Sequence, residues 1–376
     1  MEVVATRLAP PEPAGSDAPW WRNASAHALA LSLAPCPRAE AHYRFGDARL
    51  ALAAPAGLLA ELEDRFGDCA VPAAPEADAL QCDVRARPDG LTLVHFRAPP
   101  VDAFGTALAL LEHPVGRPLF REAPPATPGW RSIVRAESGT PLVAARGGRM
   151  LVDAPSAPEG FLPDLLLSPV LAAQRELLFV HASSVEIGGA GLLLIGPSGS
   201  GKTTTALTLA ARGHGCLGDD MAALHVESAA LLPLRSTANL RPGPHPQALA
   251  PQVQAGHWTP PHADGQPRLK LRLDELFPSR AAAPRVPLKR VLFLRRFAAA
   301  PAIEPFAATA EGMGSLSPLG LNKALWLAWG TTPQRRLLQF MLFMRLLARL
   351  RCAWLDVGGI EVTADLIERT MEDPWD

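Results

Sequence analysis

Apolar and polar positions alternate in short runs through the first part of the chain and fuse into longer apolar runs later. YRFGDARLALA (43–53) and LTLVHFRA (91–98) read as strands, and GLLAELEDRFG (57–67) reads as a helix with one polar face. Pro88-Asp89-Gly90 and Gly147-Gly148 supply turns between such pieces. The pattern predicts a small α+β domain over residues 27–158, preceded by a Pro- and Ala-rich tail over 1–26 that has no period. DAPSAPEGFLP (153–163) marks a boundary, and LPDLLLSPVLAAQRELL leads as helical pieces into a second domain over 159–376.

In that second domain FVHASSVEI (179–187) and GLLLIG (191–196) are strand-like and separated by Gly188-Gly189. A helix is predicted from Lys202 to Arg212, ended by Gly213 and Gly215, and a short apolar piece then runs to Asp219-Asp220. Strand, loop, helix and strand in that order predict a parallel α/β sheet with its ligand at the carboxyl ends of the strands, the Asp219-Asp220 strand lying beside the loop strand. Further on, LKLRLDEL predicts a strand with Lys270, Arg272 and Asp274 on one side. VPLKRVLFLRRF (286–297) and WLDVG (354–358) predict two more strands, the latter the last of the sheet. LLQFMLFMRLLARL (337–350) is interrupted by Arg345 and Arg349 and is too short to span a bilayer, so it predicts an amphipathic or buried helix. No internal repeat is evident.

Composition narrows the function. A chain of 376 residues with 48% hydrophobic content can fill two cores, and 36 basic against 37 acidic residues leave a formal charge of −1. No global field therefore draws it onto nucleic acid or an anionic membrane. The 5 cysteines are dispersed and form no CxxC pair, which fits a reducing compartment and argues against a structural zinc site. MEVVATRLAPPEP lacks the basic start and apolar core of a secretory signal, so a cytoplasmic protein is expected. Lysine is scarce among the basic residues, occurring at Lys202, Lys270, Lys289 and Lys323.

The first of these lysines lies in GPSGSGKTT, residues Gly196, Pro197, Ser198, Gly199, Ser200, Gly201, Lys202, Thr203 and Thr204. Gly196, Gly199 and Gly201 permit backbone angles closed to other residues, so successive N–H groups can turn inward on an anion at a helix start. Lys202 would reach the β- and γ-phosphates of ATP and the Thr203 hydroxyl would ligate Mg²⁺. Asp219 and Asp220 follow close behind. Acidic doublets are usually solvated turns, but at the end of a strand near the loop they would supply a carboxylate for the metal and another to take a proton from an attacking hydroxyl.

These residues together resemble HPr kinase/phosphorylase and its relatives. In that family a histidine opens the strand pair before the loop, a helix ending in RGH follows it, and an aspartate doublet comes next. The corresponding residues here are His181, Gly196 to Thr203, Arg212-Gly213-His214 and Asp219-Asp220. The likeness is close over 179–224 and loose beyond. It implies a P-loop kinase domain of the HPr kinase type with ATP and Mg²⁺. Asp219 would be the general base, Asp220 the metal-associated carboxylate with Thr203, Lys202 a catalytic cation, and His181 a residue beside the transferred phosphate. His214 reads as a helix-end residue satisfying carbonyls.

The family's Glu-Ile-Arg-Gly element, whose glutamate helps hold metal, is matched here only by STANLRPG (236–243), which carries no acid. Its late arginine-bearing loop is not recognisable, so neither phosphorolysis nor HPr as acceptor is expected. A serine of a peptide or small protein is the expected acceptor, with residues 27–158 available for recognising it, and a homo-oligomer is compatible with the sequence. Arg241, Lys270, Arg272 and Lys323 are candidates for phosphate contacts, although each reads more readily as surface charge. The competing readings are a kinase of a small-molecule hydroxyl, a P-loop ATPase or GTPase, and a nucleotide binder without chemistry. There is no LSGGQ signature, and NKAL (322–325) lacks the aspartate of a guanine-reading NKxD.

Overall fold

Helical structure begins earlier than the tail-like composition suggests. In a computed structural model, which describes residues 19–72, 79–97, 102–111, 119–124, 126–158, 160–234, 237–256, 258–259, 266–277, 285–306 and 333–372, helix α1 spans Ala24–Leu33. The Asn23 side chain accepts a hydrogen bond from the Ala26 N–H and so caps it. Ala24, Ala28 and Leu31 pack with Leu91, Leu93, Trp130 and Leu151, which is why residues at the end of the expected tail are ordered by burial. Residues 1–18 of that tail, together with Lys323 and NKAL, lie outside the described residues.

By contacts the chain divides into two units. One comprises Met1–His42, Leu50–Leu59 and Ala73–Val170, and the other Tyr43–Arg49, Ala60–Pro72 and Leu171–Asp376. An eight-stranded sheet runs through β1 (Ala39–Phe45), β2 (Ala48–Ala54), β3 (Leu80–Ala86), β4 (Leu91–Arg97), β5 (Phe120–Ala123), β6 (Arg131–Arg135), β7 (Pro141–Arg146) and β8 (Arg149–Asp153). Its order is β1-β2-β3-β4-β8-β7-β6-β5. The single strand expected over 43–53 is broken by a turn at Gly46, whose φ of 59° is left-handed. Helix α2 (Ala56–Phe66) connects β2 to β3, which lie parallel, and α3 (Ala103–Leu111) precedes β5. Segments 43–49 and 60–72 group with the second unit through contacts such as Phe45 against Phe179 and the Arg175 N–H donating to Asp47.

After α4 (Phe161–Ala173) the second unit builds a nine-stranded mixed sheet. Its strands are β9 (Leu177–Val180), β10 (Ala182–Ile187), β11 (Ala190–Ile195), β12 (Gly215–Gly218), β13 (Ala222–His225), β14 (Ala230–Leu232), β17 (Val286–Phe297), β18 (Ala302–Phe306) and β19 (Arg351–Val357). The pair β15 (Thr237–Leu240) and β16 (Leu269–Arg272) stands apart as a small sheet. The strand expected over LKLRLDEL stops at Arg272, and Leu273–Leu276 is a helical turn, so Asp274 does not extend that strand. The long strand Val286–Phe297 forms as expected.

At the centre, β11, β17 and β19 run parallel, so their carboxyl ends share one edge. One face of this sheet packs on α5 (Lys202–Ala211) and on helix Ile360–Glu372, through Ala206, Leu209, Ala364, Ile367 and Met371. The other face packs on helix Pro333–Leu347 through Phe343, Leu346 and Leu347. Helices on both faces of an almost wholly apolar central sheet make this unit α/β. Among the described residues no helix is long and apolar enough to cross a membrane.

The Asp219-Asp220 strand β12 does not lie beside the loop strand β11; it pairs with β10, which separates the two. The cause is local. Gly188 and Gly189, with φ of 57° and 79°, close a tight antiparallel hairpin that holds β10 on that flank of β11, so the chain leaving α5 reaches the sheet one strand further out.

Candidate active site

Every residue of β11 from Gly191 to Ile195 is buried, and the strand delivers the chain directly to Gly196. A Cβ on Gly196 would stand 2.7 Å from Ser200 Oγ and 3.0 Å from Leu294 Cβ, so the loop closes over this point only with glycine. Gly199 and Gly201 turn with φ of 80° and 96°, and Gly201 then starts α5 without a side-chain cap. The first N–H groups of a helix so started point into the loop. Ser200 Oγ is buried there and has no hydrogen-bond partner, as expected of a loop shaped for an anion.

Lys202 is only 6% exposed and donates to the carbonyls of Gly196 at 2.8 Å and Pro197 at 3.1 Å. Burial lowers its pKa, while Asp220 and Asp219 oppose that shift. Thr203 and Thr204 occupy the first turn of α5, where the Thr204 carbonyl accepts from the Thr208 hydroxyl. Ser198, on the outside of the loop, accepts a hydrogen bond from the Arg241 guanidinium at 2.6 Å.

Because β10 lies between β11 and β12, its residues enter the site. Asp219, 1% exposed, accepts hydrogen bonds from the hydroxyls of Ser183 on β10 and Thr203 on α5, the latter at 2.9 Å. Burial, and after it the neighbouring Asp220, push the Asp219 carboxyl up to about 7, against the hydroxyls and Lys202, which favour its charged form. Thr203, expected beside Asp220, is thus hydrogen-bonded to Asp219 instead.

Asp220 adopts a positive φ of 60°, and the Met221 N–H donates to the Asp219 carbonyl at 2.7 Å across it. Such a γ-turn is rare for a residue bearing a Cβ, and strain of this kind gathers at functional sites. It turns the two carboxylates to different surroundings, so that Asp220 accepts from Asn239 on β15 at 3.1 Å while Asp219 is held within. His181 Nδ1 lies 2.9 Å from the Asp220 carbonyl. A carbonyl only accepts, so Nδ1 carries the proton and Nε2 the lone pair. Burial first and Lys202 second lower the His181 pKa and keep the ring neutral.

The residues expected at the site therefore converge, with His181, Lys202, Thr203, Asp219 and Asp220 all on one edge of the sheet. Three partners of the carboxylates or loop are not announced as such by the sequence: Ser183, Asn239 and Arg241. Arg241, weighed above as surface charge, reaches the loop, whereas Lys270 and Arg272 pair with Asp64. Asn239 and Arg241 are two positions apart, so they share one side of an extended segment, which is the signal that STANLRPG carries in place of an acid. His214, expected to satisfy helix-end carbonyls, has a side-chain partner in Glu368 of helix Ile360–Glu372, beside Arg212 on Glu361 and Asp365. No group of three or more His, Cys, Asp or Glu among the described residues is arranged to hold a metal by itself. Mg²⁺ characteristically takes one or two protein ligands together with substrate phosphates, which the Thr203 hydroxyl and Asp219 could provide.

Residues 172–240 match the family described as HPr Serine kinase C-terminal domain. Over this segment the chain is similar to HPr kinases. HPr kinase/phosphorylase from Pelodictyon phaeoclathratiforme is 49% identical over 45 residues, which are 12% of this chain and 14% of that relative. HPr kinase/phosphorylase from Chlorobium phaeovibrioides is 54% identical over 41 residues, 11% of this chain and 12% of the relative. The HPr-kinase-related segment thus carries the loop, the doublet and β15, and spans only a small part of the relatives it matches. The Hpr(Ser) kinase/phosphatase from Coxiella burnetii is 13% identical across 51% of this chain and 87% of that one, with a TM-score of 0.25.

The buried carboxyl has a consequence for stability. The Asp219 pKa is raised above its unfolded value, so the unfolded chain binds fewer protons between the ordinary carboxylate range and about 7, and native stability falls as pH rises through that window. Asp219→Asn, a neutral near-isostere, is expected to remove this loss. Thermal unfolding of the ligand-free protein should occur several degrees higher in the variant at pH 8 and at nearly the same temperature at pH 4. An equal difference at both pH values would exclude the buried charge as its cause.

Proposed function

We propose that this protein is an ATP-dependent kinase that transfers the γ-phosphate to a hydroxyl, a serine of a peptide or small protein. The observation that carries the reading is the convergence of Lys202, Thr203, Asp219, Asp220 and His181 at one phosphate loop. Transfer to a hydroxyl needs one carboxylate for the metal and another to take the acceptor's proton, and the strained turn at Asp220 gives the two different surroundings. The relatives' names point the same way, although the match covers a small part of each.

In this reading the loop N–H groups and Lys202 hold the β- and γ-phosphates. Bound Mg²⁺ would neutralise charge on them and favour the ionised form of its carboxylate. The Thr203–Asp219 hydrogen bond supports that pair as its protein ligands, with Asp219 rather than Asp220 as the metal carboxylate. Asp220 is then the base. The acceptor oxygen bonds to the γ-phosphorus, the bond to the β–γ bridging oxygen breaks, and the acceptor proton passes to Asp220. His181 and Asn239 hold Asp220 from its backbone and its side chain, and Arg241 braces the loop at Ser198.

Incubation with γ-labelled ATP and candidate acceptor peptides, followed by locating the label, tests the assignment. Label on a serine hydroxyl is expected. Release of labelled phosphate with none on any acceptor, peptide or small molecule, would favour an ATPase.

A further inference from the structure

The two flanks of the phosphate loop differ in chemistry. On the β10 and β12 side stand Asp219, Asp220, Ser183 and His181, which in the reading proposed above receive the γ-phosphate and the metal. A nucleotide with its γ-phosphate there has its sugar and base away from them, and the ends of β17 and β19 form the opposite flank of β11. At the end of β17 stands Phe297, a large aromatic residue that is 66% exposed.

Its position follows from an irregularity in the strand. On β17, Leu292 and Leu294 face the core that contains α5, while Val291 and Phe293 face the opposite core. Strict alternation would put Phe297 with Phe293, away from the loop. The pairing of β17 with β19 shifts register between Leu294 and Arg296, after which Phe297 sits opposite Val357. One extra residue in a strand reverses the facing of those that follow. Phe297 is thereby brought to the α5 side: its Cε1 and Cζ lie 3.6 and 3.7 Å from the point a Cβ on Gly201 would occupy, and Val357 Cγ1 lies 3.7 Å from it.

The backbone secures this arrangement, the Ala298 N–H donating to the Val357 carbonyl at 2.8 Å. The charged groups around it are engaged with one another. Asp356, 5% exposed at its side chain, accepts from both Arg295 and Arg296, and Arg295 also pairs with Glu304. What the end of β17 offers a ligand is an exposed aromatic ring beside the loop glycine.

Resting on the kinase reading, we infer that Phe297 is the platform on which the nucleobase of the bound nucleoside triphosphate stacks. Stacking uses the face that every base has, so the site holds adenine and guanine nucleotides with similar affinity. The β17 bulge thus serves nucleotide binding: it turns an aromatic side chain from the sheet's other face to the loop.

Equilibrium binding of Mg-ATP and of Mg-tripolyphosphate, which has the phosphates without the base, tests this in the full chain. Phe297→Ala is expected to weaken ATP by on the order of tenfold or more and to leave tripolyphosphate unchanged. Phe297→Trp is expected to retain ATP affinity and to show indole quenching with ATP but not with tripolyphosphate. Unchanged ATP binding in Phe297→Ala, or equal weakening of both ligands, would overturn the platform while leaving the loop assignment standing. A wild-type chain that bound neither ligand would overturn both.

Discussion

Asp220→Asn is expected to bind Mg-ATP as the native chain does and to transfer phosphate about 10²–10⁴-fold more slowly, the usual cost of losing a general base. Asparagine keeps the size of the side chain and can still hydrogen-bond Asn239, but it cannot take the acceptor's proton. Asp219→Asn is expected to behave differently. It leaves the γ-turn in place and removes the charge beside Thr203, so a higher Mg²⁺ concentration is needed for half-maximal activity. Titrating activity against Mg²⁺ in the two variants separates the roles. A shifted Mg²⁺ requirement in Asp220→Asn together with an unshifted one in Asp219→Asn would restore the allocation that the family resemblance implies. Full transfer by Asp220→Asn would remove it as base.

Lys202→Ala is expected to lose most nucleotide affinity and all measurable turnover. This ammonium is buried against the carbonyls of Gly196 and Pro197 with Asp219 and Asp220 nearby, whereas Arg241 is engaged with Ser198 on the outside of the loop. Arginine should not rescue it. The carbonyls of Gly196 and Pro197 fit a compact ammonium, whereas a planar guanidinium is wider and would have to enter a loop whose side at Gly196 leaves no room for a Cβ. Calorimetric titration with Mg-ATP and a turnover assay on both variants check this, and near-native turnover in either would reject the loop as the phosphate site.

These variants test roles that differ in how plainly the chain announces them. Gly196 to Thr204 are consecutive, so the loop is readable as a motif. The division of labour between Asp219 and Asp220 is not, because both are the same residue type at adjacent positions. It depends on a positive φ at Asp220 and on the hydroxyls that reach Asp219 from β10 and α5. Ser183 was equally unreadable as a partner, since nothing in FVHASSVEI says that β10 will separate the loop strand from the doublet strand. Domain limits show the same divide. The Pro-rich stretch at 153–163 is visible in composition, yet Tyr43–Arg49 and Ala60–Pro72 group with the second unit, and a cut near Phe161 would deprive that unit of both.

By itself the sequence determined the local matters: a glycine loop between an apolar strand and a helix, an aspartate doublet a short step beyond, the long strand Val286–Phe297, and the α/β class. Each rests on periodicity, turn chemistry or a contiguous motif, properties of neighbouring residues. Tertiary structure alone decided the strand order β12-β10-β11-β17, the pairing of Thr203 with Asp219, the reach of Asn239 and Arg241 into the site, and the turning of Phe297 toward Gly201. The reason is that all of these join residues far apart in the chain. They are set by which strand fills each edge of the sheet and by a single-residue bulge, and neither leaves a periodic trace in the sequence.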